Sequence, residues 1–123
     1  MHATRWSDIP DEEARPGVRR RGFGTDDCLL VYNECTPGMT LRPHSHDFDQ
    51  IVMITQGRAV FHIGDSDEDV GPGSVLVIPA GVEHHIEPVG DEVVHNIDVF
   101  VPLREDYRHL LDWMGSERPR DST

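Results

Sequence analysis

Short apolar runs broken by turn residues fill the chain from Val18 to Val101. "CLLVYNEC", "QIVMITQG", "RAVFHIG", "SVLVIPAG" and "VVHNIDVFV" are rich in β-branched and aromatic side chains and have strand length. Between them "TPG", "QG", "GDSDED", "GPG" and "PVGDE" supply turns. Many short strands with no helix between them predict an all-β sandwich or barrel over residues 18–103. Residues 1–17 are polar, hold Pro10, Pro16 and Gly17, and predict an N-terminal arm. Tyr107, Leu110, Leu111 and Met114 share one face at helical spacing, which predicts a short C-terminal helix over 104–114 whose apolar residues pack rather than function. The last stretch, 115–123, is expected to be a flexible tail.

Alternation within "VVHNIDVFV" separates two faces. Val94, Asn96, Asp98 and Phe100 lie on one; Val93, His95, Ile97, Val99 and Val101 lie on the other. The second set is almost wholly apolar, so that face should also be covered. If a barrel interior takes one face, the other needs the terminal segments, a second sheet or a partner subunit, and a homodimer is the expectation.

Composition narrows the partners. The 123 residues carry a net charge of −12, and all eleven basic residues are Arg. Nucleic acid and anionic membrane are excluded as bulk partners because both would be repelled. A local Arg can still receive a small anion. Neither a leader-like apolar stretch nor a membrane-length run is seen, so a cytoplasmic location is expected. Cys28 and Cys35 match no metal or redox spacing and read as reduced thiols within a strand. "RRR" at 19–21 reads as surface charge on a strand, "GDSDED" as a solvated hairpin, and His62 and His95 as exposed or interface histidines. Trp6 and Trp113 are expected to pin the terminal segments to the barrel.

Histidine spacing supplies the candidate chemistry. His44 and His46 are two apart, so a strand projects both imidazoles to one side. Gln50 could return beside them after the "DFD" corner, and "GSVLVIPAGVEHH" adds His84 or His85, only one of which can point inward. Three imidazoles and an amide oxygen suit one divalent transition metal ion: Ni, Zn, Fe, Mn or Co.

"GMTLRPHSHDFDQIVMITQG" follows G-x5-H-x-H-x3-[E]-x6-G with Gln50 in the bracketed place, and "GSVLVIPAGVEH" follows G-x5-P-x-G-x2-H. The chain thereby resembles the cupin superfamily. The resemblance implies a jelly-roll barrel with an interior metal held by His44, His46, Gln50 and His84, and His85 turned outward. Gln50 departs from the usual Glu. Because cupins serve many functions, the remaining lining must decide between them.

A narrower resemblance enters at "NIDVFVPLREDY", which is similar to the segment closing the KdgF-type cupins that linearise 4,5-unsaturated monouronates in pectin and alginate degradation. It implies a three-His, one-Gln metal set on His44, His46, Gln50 and His84, and catalytic roles for Asp98, Arg104 and Phe100. "WSDIPDEEARPGVRRRGFG" also looks like that group's N-terminal arm. "HDFDQ" departs from the group's commoner sequence and puts Phe48 near the pocket mouth. The resulting expectation is a metal-dependent isomerase acting on a small anionic sugar acid. Competing readings are an Fe-dependent three-His dioxygenase and a non-catalytic small-molecule-binding cupin. Neither requires an Asp placed like Asp98.

Overall fold

A computed structural model describes residues 3–117. Nine strands form among them: β1 (Glu12–Arg15), β2 (Val18–Gly24), β3 (Leu29–Cys35), β4 (Gln50–Gln56), β5 (Arg58–Ile63), β6 (Ser66–Val70), β7 (Val75–Ile78), β8 (His84–Val89) and β9 (Val94–Phe100). They build a six-stranded sheet in the order β1-β2-β3-β9-β4-β7 and a three-stranded sheet in the order β6-β5-β8. All pairings are antiparallel. This is the expected all-β jelly roll. No helix among the described residues is long and apolar enough to cross a membrane.

Alternation builds the interior. Along β4, Gln50, Val52 and Ile54 turn inward, while Ile51 faces out and is 45% exposed. Along β9, Val94, Asn96 and Phe100 are buried, whereas His95, Ile97 and Val99 are half-buried on the outer face. One apolar cluster joins Val52, Ile54, Phe61, Ile78, Ile86 and Val94 between the sheets. A second joins Leu29, Val31 and Phe100 to Leu103, Leu110, Leu111 and Met114 from the C-terminal segment.

The ends differ from the sequence expectation. Residues 1–17 are more than an arm: Trp6–Asp8 forms a 3-10 turn, and β1 joins the large sheet by pairing with β2. The C-terminal helix is a 3-10 segment, Glu105–Glu117, interrupted at Gly115 (φ 52°, ψ −137°). It docks on β2 because Gly22 leaves the room: a Cβ there would sit 2.5 Å from the Leu110 Cβ. Residues 118–123 of the expected flexible tail lie outside the described residues. Both tryptophans pin their segments. Trp6 packs 5.0 Å from Tyr32, and the Trp113 indole N–H donates to the Gly22 carbonyl at 2.9 Å.

The lesser expectations sort themselves by face. Cys28 and Cys35 are free thiols, and burial pushes Cys35 up to about 12. The "GDSDED" stretch is solvent-exposed, its turn at Gly64 and Asp65 leading from β5 into Ser66–Asp69 of β6. "RRR" splits: Arg19 and Arg21 lie on the outer face of β2 and pair with Asp11 and Glu34, whereas Arg20 shares the inward face of Val18 and Gly22 and borders the cavity. Surface charge therefore describes Arg19 but not Arg20.

Candidate metal centre and the cavity around it

Backbone pairing brings the first three candidates together. His44 and His84 form an isolated antiparallel bridge, exchanging N–H···O bonds of 3.1 and 2.8 Å. Their rings lie 4.4 Å apart, with His46 4.9 Å from His84. The ligand nitrogens of all three fall within 4.8 Å of one another. His85, its neighbour's mirror on the extended strand, turns outward and stacks on His62 at 4.3 Å.

Hydrogen bonding fixes the three rings in one tautomer. Each Nδ1–H donates to a backbone carbonyl two residues away: His44 to Arg42 at 2.8 Å, His46 to Phe48 at 2.9 Å, and His84 to Val82 at 2.9 Å. Their Nε2 atoms therefore carry lone pairs into the shared space. Burial lowers the pKa of His44, and pushes His84 down to about 4, which keeps both rings neutral. His84 Nε2 is buried without a hydrogen-bond partner.

Gln50 completes the set. It opens β4 and is 5% exposed. Its amide hydrogen-bonds Asp98, and since a carboxylate only accepts, the NH2 end must face Asp98 and the Oε1 end the histidines. Oε1 lies 2.9 Å from His46 Nε2. Two lone-pair atoms at that distance are reconciled by a cation between them. The orphaned His84 nitrogen, the locked tautomers and this acceptor pair all fit a divalent ion held by His44, His46, His84 and Gln50.

Asp98 sits beside this set on β9. Asn33 and Asn96 donate to its two oxygens at 2.9 and 2.8 Å, and Gln50 adds a third amide. Protein surrounds the carboxylate, and burial outweighs these donors and Arg104 to push its pKa up to about 6. Gln50, His84 and Asn96 are the buried polar residues of the described chain, and all three belong to this cavity. Polar side chains are costly inside a barrel unless they satisfy one another, so their concentration marks the site.

Arg104 closes the cavity from the C-terminal segment. Its guanidinium lies 3.9 Å from the Tyr107 ring centre and 5.3 Å from those of Phe48 and Phe100. Its Nε donates to Asp106 at 2.7 Å, leaving the terminal nitrogens for a ligand. Phe48 stacks on His46 at 4.2 Å and so walls the metal set as well as the mouth. Phe100 is 1% exposed; it props His46 edge-on and supports Arg104, with little ring face open to the cavity.

Asn33, Tyr107 and Arg15, like Arg20, line the cavity without being marked by the sequence motifs. Asn33 was detectable in principle as the polar member of an inward face shared with Leu29, Val31 and Cys35. Tyr107, whose helical spacing predicts packing, lines the cavity and carries both Arg104 and Arg20, the latter at 4.5 Å. Arg15 has no sequence signal of its own, because only the β1–β2 pairing turns it towards the site.

A jelly-roll barrel with this histidine set in its interior is a cupin with a candidate metal centre. More narrowly, the chain belongs to the AraC-like ligand binding domain family, whose model matches residues 29–101. The HTH-type transcriptional activator RhaR of Shigella dysenteriae is 28% identical over 94 residues, covering 76% of this chain and 32% of that protein. RhaR of Escherichia coli K12 is 27% identical over the same length. The chain thus spans about a third of the length of the curated relatives it matches. Among solved structures, KdgF from Halomonas sp. superimposes with a TM-score of 0.73 at 24% identity, over 82% of this chain and 94% of that one. An RmlC-like cupin from Shewanella frigidimarina gives 0.74 at 20% identity, over 87% and 96%. At these identities the likeness establishes the fold.

Proposed function

We propose that the chain is a metal-dependent isomerase that opens cyclic 4,5-unsaturated monouronates to their linear keto acids. The observation that carries this reading is the convergence of Asp98, Arg104 and the His44–His46–His84–Gln50 set on one cavity. The KdgF-like segment from Asn96 to Tyr107 supports it further.

The reaction is an isomerisation with no net change of atoms. The hemiacetal hydroxyl loses a proton, the bond from the anomeric carbon to the ring oxygen breaks, and an aldehyde and an enol result. The enol oxygen then loses its proton while C4 gains one, giving the ketone. A divalent ion on four neutral donors keeps its full double charge and would supply Lewis acidity towards the substrate's oxygens. Asp98 takes a proton from the substrate and returns one to carbon, a role suited to a carboxyl that exists in both forms near neutral pH. Its three amide donors fix the carboxylate plane, so the proton moves along one direction. Arg104 holds the substrate carboxylate with its terminal nitrogens, and the rings of Phe48, Phe100 and Tyr107 keep water from the guanidinium. Acid–base help of this kind is typically worth roughly 10²–10⁴-fold.

The test incubates metal-loaded protein with 4,5-unsaturated galacturonate and follows ring opening by proton NMR, with and without oxygen. Acceleration that is independent of oxygen is expected, and Asp98→Asn should abolish it while metal content is kept. A rate no faster than the spontaneous reaction would sink the proposal.

The family match favours a second reading, a domain that binds a small sugar acid without turning it over. In that case unsaturated galacturonate binds tightly to the metal-loaded protein and its ring opens at the spontaneous rate.

A further inference from the structure

Acidic residues outnumber basic ones 23 to 11 in this chain, yet four of the eleven arginines meet at one place. The cavity opens outward through a mouth of about 200 Å³, walled by Arg15, Arg20, Arg42, Arg104, Tyr107 and His44. Asp106 is the one carboxylate on that wall among the described residues. His44 and Arg104 border the inner cavity too, so the mouth leads directly to the metal set.

The four guanidinium groups are not equally neutralised. Arg104 is paired with Asp106 at 2.7 Å and Arg20 with Glu12 at 2.7 Å. Arg15 makes no ion pair among the described residues, and its Nε donates to the Thr40 carbonyl at 2.9 Å. Arg42 likewise has no ion pair among them. Burial and repulsion from Arg42 and Arg20 lower the pKa of Arg15, so these charges oppose one another across the opening. A protein with acid to spare has placed almost none of it here. Two unpaired guanidinium groups beside a third, facing an open cavity, are arranged for an anion that arrives from solution.

We propose that Arg15, Arg20 and Arg42 form a second anion subsite, and that the preferred ligand is a uronate bearing a second anionic group. One carboxylate reaches Arg104 beside the metal set, and a second carboxylate or phosphate is held at the mouth. The inner half of this assignment rests on the uronate reading above; the outer half stands on the arginines and does not require turnover. The hairpin of β1 and β2 acquires a role thereby, since it delivers Arg15 and Arg20. Both border the inner cavity as well as the mouth, while Arg42 lines the mouth alone.

The experiment compares binding of three probes to zinc-loaded protein by calorimetry at low salt. Galacturonate carries one carboxylate, digalacturonate two, and 6-phosphogluconate a carboxylate and a phosphate. At least one of the two probes with a second anionic group should bind about tenfold or more tightly than galacturonate, and which one wins identifies the outer group. In the Arg15→Gln/Arg42→Gln variant the preference should collapse to about twofold or less, with zinc content unchanged. Arg42→Gln by itself, at an exposed position, should lose about half of the preference on a logarithmic scale and guards against misfolding of the double variant. Arg108→Gln removes an arginine paired with Glu105 away from the mouth and should keep the full preference. Equal binding of all three probes to wild type, or a preference that survives in the double variant, overturns the subsite. Tight binding of a doubly acidic probe without acceleration of uronate opening would instead remove the catalytic reading and leave the subsite in place.

Discussion

Asp98 is where chemistry and stability meet. Burial raises its pKa from 3.8 to about 6, which corresponds to about 3 kcal/mol between its two protonation states. The folded chain thus holds this proton more tightly than the unfolded chain. The stabilisation is fully present below pH 3.8 and is lost as the pH rises through about 6. His84 acts in the opposite sense. With its pKa pushed from 6.5 to about 4, it makes the fold more stable as the pH climbs between those values. Wild type carries both effects, so the comparison that isolates Asp98 is with Asp98→Asn. In metal-free protein the Asn variant should gain on wild type by up to about 3 kcal/mol between pH 4 and 7. Denaturant melts at a series of pH values check this, and parallel curves for the two proteins would refute it.

At the scale of elements, the site depends on a close approach between β2 and the C-terminal segment. Gly22 pairs with Val31 in the sheet, and a Cβ on it would meet Leu110 at 2.5 Å from Cβ and 3.0 Å from the carbonyl oxygen. Gly22→Ala should therefore lift the segment that carries Arg104 and Tyr107, at a cost of about 1–3 kcal/mol. Lower thermal stability and a changed Trp113 fluorescence are the expected readouts; an unchanged melting temperature would mean that the segment adjusts freely. The same contact explains what the sequence could not reveal. Strands were legible because alternation and turn residues are local signals, and the clustering of His44, His46 and His84 was legible because their spacing lies in two short motifs. Arg20 was not, because its inward direction depends on which face of β2 meets the barrel. Asn33 gains its role only through the register that sets it opposite Asn96, 63 positions later, beside Asp98. The C-terminal apolar positions foretold a helix but not its 3-10 winding, since docking on Gly22 is a tertiary contact.

At the scale of the whole molecule, the outer face of the large sheet is covered unevenly. Trp6 packs over Tyr32, which in turn meets His95, so the β3 side has a lid. No described residue lids the β4–β7 side: Ile51 is 45%, Val77 58% and Val75 71% exposed, and Ile51 stands directly opposite Val77. Because β7 is also the edge of the sheet, unpaired backbone groups adjoin this apolar surface. A second copy of the chain, related by a two-fold axis, would cover the patch with its own equivalent and satisfy both needs. The arrangement leaves the ligand route open, since the arginine mouth is built at the β1 edge and β7 is the opposite one. Sedimentation of wild type should give a dimer, and Val75→Glu/Val77→Glu should give a monomer, because like charges would meet across the axis. The monomeric variant should still bind one metal ion per chain and keep its preference between the acid probes, as no residue of the cavity comes from β7. A monomeric wild type would overturn the dimer. Loss of metal from a correctly folded double variant would show instead that the edge strand supports the barrel interior, which the register of Gln50 opposite Ile78 makes the one direct route between them.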